Sequence, residues 1–140
     1  MTYREGPMPS PYLVTAFGRF VVVVEAATGR ELWRQQTNQL MGGTTLRLHV
    51  SEDEVVVLAG DTLRSFRLAS GEPVRAVALG NAGHDTLLVV ARRAYVSASG
   101  ELSCIDLDGG KVVWRNELPR TGFGTPSIGV PGAVSQGDRA

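Results

Sequence analysis

Apolar residues fall in short runs broken by glycines and by charged or hydroxylated residues. In Leu46-Arg-Leu-His-Val50, Leu46, Leu48 and Val50 occupy one face, and Arg47 and His49 the other. That alternation predicts a strand with one buried face, and places His49 at an outward, exposed position. Other runs, such as Phe20 to Glu25 and Val55 to Ala59, are continuously apolar or nearly so and rich in valine. Gly-bounded β-branched runs of this length predict strands rather than helices. No segment of useful length carries a 3.6-residue period.

The runs recur. Gly29, Gly71 and Gly110 lie 42 and then 39 residues apart, and Gly18, Gly60 and Gly100 lie 42 and then 40 apart. A period near 40 with short strands marks an array of stacked sheets. Each unit reads as four strands. Strand A is Thr45 to Val50, Leu87 to Ala91 and Ser127 to Val130. Strand B is Leu13 to Ala16, Val55 to Ala59 and Tyr95 to Ser97. Strand C is Phe20 to Glu25, Leu63 to Leu68 and Leu102 to Leu107. Strand D is Glu31 to Gln35, Val74 to Leu79 and Lys111 to Asn116. The order is BCD, ABCD, ABCD, then A with part of B. Links of six residues, 38–43, 80–85 and 119–124, each precede a threonine: Thr44, Thr86, Thr125. Their equal length predicts one geometry with different contents.

Two C–D hairpins carry a fuller pattern, Glu25-Ala-Ala-Thr-Gly-Arg-Glu-Leu-Trp33 and Ile105-Asp-Leu-Asp-Gly-Gly-Lys-Val-Val-Trp114. They resemble the repeat of pyrroloquinoline-quinone-type (quinoprotein-like) β-propellers, and the likeness runs from Tyr12 to about Gln136. It implies an all-β fold of antiparallel four-stranded blades, here a partial β-propeller of about three. Structural positions of the repeat are Gly29, Trp33, Gly71, Gly110 and Trp114. Each tryptophan on the outer strand would bury about 150–250 Å² between blades. In the middle unit Arg75 replaces the tryptophan and Pro73 precedes it. One inter-blade contact should therefore be weaker or differently built. Natural propellers close with roughly four to eight blades. Three would leave an apolar blade face open, so completion is expected from a second copy, giving a homodimeric six-bladed ring, from a larger assembly, or from another protein partner. The last A strand could complete a B strand in its own ring or in its partner's. A strongly curved three-sheet monomer and a fragment of a longer propeller are the alternatives.

Domain organisation follows: a flexible, proline-rich arm over 1–11, one repeat domain over 12–137, and a tail over 138–140. The arm has no basic segment followed by an apolar one, and no apolar run approaches the roughly 20 residues that span a bilayer. The expected compartment is the cytoplasm, without membrane insertion.

Charge and chemistry change this picture little. The chain has 14 basic and 14 acidic residues, a balance that disfavours nucleic acid as a partner. The single cysteine, Cys104, excludes an intrachain disulfide and sits in a small-residue slot shared with Val23 and Ser65, where a buried, inert thiol is expected. Glu52, Asp53 and Glu54 read as a solvated A–B hairpin tip, and Arg92-Arg93 as another tip. His84-Asp85 is a loop pair with no nucleophile tied to it. Quinone chemistry needs a calcium site of about six to eight oxygens, and the links between units hold only Asp85. No catalytic residue, cofactor site or metal site is assigned. A binding rim would lie on the links, with Asn38, Met41, Asn81, His84, Arg120 and Phe123 as candidates. The expected function is a non-catalytic module for protein–protein interaction or structural assembly that self-associates. A small-molecule or cofactor sensor is the alternative, and a remnant of a quinoprotein dehydrogenase a distant third.

Overall fold

The computed structural model describes residues 11–37, 46–79, 86–98, 101–118 and 127–135. Within them the chain is all β. Blade 1 holds β1 (Tyr12–Phe17), β2 (Phe20–Glu25) and β3 (Glu31–Gln36). Blade 2 holds β4 (Leu46–Val50), β5 (Glu54–Ala59), β6 (Thr62–Arg67) and β7 (Pro73–Ala78). Blade 3 holds β8 (Thr86–Val90), β9 (Arg93–Ala98), β10 (Glu101–Asp106) and β11 (Lys111–Glu117). A final hairpin joins β12 (Ile128–Val130) to β13 (Ala133–Ser135). Every sheet is an antiparallel meander in chain order. The BCD, ABCD, ABCD, A-plus-B order expected from the sequence is the order observed, with strand ends displaced by a residue or so. The arm over 1–10 and the tail over 138–140 lie outside the described residues. Pro11 is anchored, its carbonyl accepting the Ala26 amide at 2.7 Å.

Two apolar layers hold the blades together. β5 is buried along its whole length because it has a blade on either side. Val55, Val57 and Ala59 pack towards blade 1, against Val21, Val23 and the half-buried Tyr12, Val14 and Ala16. Val56 and Leu58 pack towards blade 3, against Leu87, Ala94, Val96, Ile105 and Leu107. A continuous apolar run with a period of two therefore serves two cores at once. Strands β1, β4, β8 and β12 lie next to one another in that order.

Equivalent ladder positions lie 42 and then 39 residues apart: Val24 opposes Glu31, Phe66 opposes Pro73, and Ile105 opposes Val112. The difference falls between Thr37 and Leu46. The threonine-marked links are thus not equivalent as expected. Arg47, opposite Leu58, is the counterpart of Thr86, opposite Ser97. Glycine tips and strand bulges set the ladders, and a threonine inside a link constrains neither.

One irregularity repeats in all three blades. The C–D ladder slips between Val23 and Val24, between Ser65 and Phe66, and between Cys104 and Ile105. Each slip leaves one extra residue on the outer strand just before Trp33, Arg75 or Trp114. A bulge of this kind turns the following side chain, and here it aims that side chain at the next blade.

Candidate interaction faces

The seam between blades 1 and 2 shows what the bulged tryptophan does. Trp33 lies flat on the Gly71 turn, and a Cβ at Gly71 would sit 2.6 Å from Trp33 Cδ2. Gly71 also has φ +78°, so glycine is required there twice over. The indole N–H donates to the Leu68 carbonyl at 2.7 Å, and Gln35 Nε2 donates to the Gly71 carbonyl at 2.8 Å. The Phe66 ring lies 6.1 Å from the indole at a 45° tilt.

The seam between blades 2 and 3 is built differently, as the Arg75 substitution implies. Arg75 Nη1 donates to Glu54 Oε1 at 3.0 Å, and Arg92 Nη1 of the next blade donates to Glu54 Oε2 at 3.3 Å. Arg92 Nε also donates to Asp108 at 3.0 Å. The Asp108 carboxylate first, with Glu54 behind it, holds Arg92 above the usual guanidinium range and keeps it charged. Arg115 donates across the same seam to the Leu79 carbonyl. Glu54 is therefore no part of a solvated tip: its side chain is 4% exposed, while Glu52 and Asp53 face water. The connection between β4 and β5 is only Ser51, Glu52 and Asp53, and Glu54 already belongs to β5, which a run of three acids does not reveal. Ala91 and Arg92 form the opposing tip with φ of 52° and 62°, a left-handed pair without glycine. The ion pairs help hold that unfavourable backbone.

The two outer blade faces have no neighbouring sheet of full size among the described residues. On blade 3, Tyr95, Cys104 and Trp114 form one cross-strand row, the counterpart of Val14, Val23 and Trp33. The Tyr95 and Trp114 rings are 6.4 Å apart, yet Trp114 remains 39% exposed. Among the described residues the β12–β13 hairpin packs chiefly against β8, at one end of this face. On blade 1, Leu13 is 57% exposed, and Val22 and Val24 share its side of the sheet. Gly29 tops this face with φ +78°, as Gly71 does in blade 2, but nothing lies within 4 Å of where its Cβ would be. One copy of the tryptophan–glycine seat is thus filled, while a second tryptophan and a second seat stand open at opposite ends.

Comparison with known families agrees with this architecture. The family model described as outer membrane protein assembly factor BamB, a PQQ-like repeat, matches residues 7–74 and 21–130. The chain belongs to the PQQ-like repeat family. No curated protein matches it.

Among the described residues no group of three His, Cys, Asp or Glu side chains could grip a metal ion. The most buried carboxylate, Glu54, has both oxygens engaged by arginines. Cys104 is fully buried, as expected for its slot, with Arg93 Nη1 at 3.9 Å from its sulfur. All six rim candidates, Asn38, Met41, Asn81, His84, Arg120 and Phe123, lie outside the described residues, as does Asp85. The structure instead draws attention to blade faces, which no motif search would mark. The only available signal was the tryptophan spacing combined with the count of units.

His49 corrects another expectation. It is half-buried rather than exposed, because its side of β4 faces blade 3. With Val56, Val89, Arg92 and Leu107 it lines a cleft of about 280 Å³. Burial pushes its pKa below the ordinary value of 6.5. A lowered folded-state pKa means that the unfolded chain takes up the proton more readily. This contribution to stability is complete above pH 6.5 and is lost as the pH falls below it. The urea midpoint should drop between about pH 7 and pH 5 in the wild type, and by less in His49→Gln. Equal drops in both would exclude His49 as a source of the acid sensitivity.

Proposed function

We propose that this PQQ-like repeat chain is a non-catalytic module that works through its open blade faces, in protein–protein interaction or structural assembly. The observation that carries this reading is Trp114. It is bulged, aimed and preceded by the same ladder as Trp33, yet 39% of it faces solvent. An apolar side chain positioned so deliberately and left uncovered marks a contact surface. The matching family description, an assembly factor, fits a role without bond chemistry. A small-molecule sensor finds less support. The cleft beside His49, about 280 Å³, and a hollow of about 400 Å³ lined by Pro11, Glu25, Ala26 and Ala27 lie near the lower end of the roughly 300–1,000 Å³ usual for ligand sites, and the larger has only one charged side chain in its lining.

Two measurements test this reading together. At dilutions where the chain is monomeric, an environment-sensitive apolar dye should bind it, and Trp114→Ala should reduce its fluorescence at least twofold. Dye-linked alcohol or sugar oxidation should stay at background with added pyrroloquinoline quinone and calcium. No dye signal would remove the surface, and oxidation abolished by chelation would make the chain an enzyme.

A further inference from the structure

We infer that the partner of the open blade 3 face is the open blade 1 face of a second copy, with Trp114 seated on the partner's Gly29. This rests on the interaction reading above and names the partner of that surface.

The argument is continuity with the seam inside the chain. Trp33 on Gly71 joins blade 1 to blade 2, and offsets of 39 and 42 residues carry each element of that seam to an unfilled counterpart. Trp114 stands where Arg75 and Trp33 stand, opposite Cys104 as Trp33 is opposite Val23. Gly29 repeats the φ +78° of Gly71 and leaves open the space that Trp33 fills above Gly71. Asn116 is the counterpart of Gln35 and has an amide to offer the Gly29 carbonyl, as Gln35 offers one to Gly71. Ala26 is the counterpart of Leu68, whose carbonyl accepts the Trp33 N–H. Because alanine replaces leucine, the site is roomier, and a hollow of about 400 Å³ opens beside Ala26 and Ala27. Leu13 and Val24 stand where Val55 and Phe66 close the internal seam.

The surface left bare in blade 2 points the same way. Leu48 and Val50 lie on the blade 1 side of β4, yet are 37% and 40% exposed. Blade 1 has no A strand beside β1 among the described residues, so no described strand covers their exposed part there. A strand paired to the outer edge of β1 would. β12 is an A strand held by only three cross-strand pairs to β13. When the faces meet, the six-residue β1 of one copy takes the place of β13 beside the partner's β12. Two such junctions close two chains into one ring, and each copy supplies the tryptophan that the other lacks.

The association is head-to-tail, which sets the test. Sedimentation velocity on the full chain should give a species near twice 14.9 kDa. Trp114→Ala and Leu13→Asp should each weaken the dimer at least tenfold. Urea unfolding of dilute samples checks that both variants stay folded, with Leu13→Ser as the milder replacement. Amide exchange should show the β1 amides that face away from β2 becoming protected as concentration rises. If only Trp114→Ala acts, two blade 3 faces meet each other and the Gly29 seat is overturned. A wild-type monomer that still binds the apolar dye at Trp114 overturns self-association while the interaction reading survives. A monomer that binds no dye overturns both.

Discussion

Replacing Trp33 with alanine is expected to cost about 3 kcal/mol of unfolding free energy, whereas Trp114→Ala should cost about 1 kcal/mol or less in the monomer. The two residues occupy equivalent positions, so the contrast isolates what a neighbouring blade contributes. Trp33 covers the Gly71 turn, meets Phe66 and donates to the Leu68 carbonyl. Removing it opens the seam and strips that carbonyl of its donor, about 1 kcal/mol by itself. Tryptophan-to-alanine changes in full cores cost about 3–5 kcal/mol, and the half-buried Trp33 belongs at the low end. Trp114 has Tyr95 beside it and water over much of its ring. Urea titration below the association range measures both. For a domain this size the larger loss is about a 10 °C drop in melting temperature. Similar small losses would mean that the apolar layer of Val21, Val23, Val55 and Val57 holds blade 1 without the indole.

The asymmetry between those two tryptophans was only partly legible in the sequence. The repeat showed through because local rules set it: β-branched runs, glycine at each C–D tip, and a fixed step from glycine to tryptophan. The same rules gave strand order, the three described strands of the first unit and the final hairpin. Cys104 was legible for the same reason, since its column in strand C holds Val23 and Ser65. What failed depended on contacts between units. His49 alternates with Leu48 and Val50, and alternation alone makes it the wet face. In fact blade 3 half-covers His49, while Leu48 and Val50 are left barer. Glu54 follows Glu52 and Asp53, and a run of three acids reads as surface. Its burial depends on Arg92, 38 residues away, and no local pattern announces that pairing. Loops on a rigid scaffold commonly carry function, which is why a sequence alone points to the rim candidates. The feature that best supports a binding role is instead a strand residue, Trp114, with no full-sized sheet over it among the described residues.

Glu54→Ala is the second large effect expected, a loss of about 2 kcal/mol. Removing one member of a buried ion pair costs about 3–5 kcal/mol where the remaining charge is stranded away from water. Here the stranded charges are only partly enclosed, with the Arg75 side chain 19% exposed and that of Arg92 43% exposed. Arg92 also keeps Asp108. Both reach solvent, which lowers the loss from that range. The cluster is therefore a repair of the seam rather than its strongest form, and a compensating pair should show it. Gly110 has φ +69°, and the nearest neighbour to its absent Cβ is Arg75 Cδ at 4.0 Å. Ile105 and Leu107 lie where Phe66 and Leu68 lie beneath Trp33. Arg75→Trp combined with Glu54→Leu should thus rebuild the tryptophan seat of the first seam. Apolar replacements of buried ion pairs are often neutral or stabilising. The double variant is expected to recover at least the stability lost in Glu54→Ala, as read from the urea midpoint. A double variant no more stable than Glu54→Ala would mean that the left-handed Ala91-Arg92 tip needs the Glu54 carboxylate to hold its shape. The blade 2 to blade 3 seam would then depend on charge in a way the first seam does not.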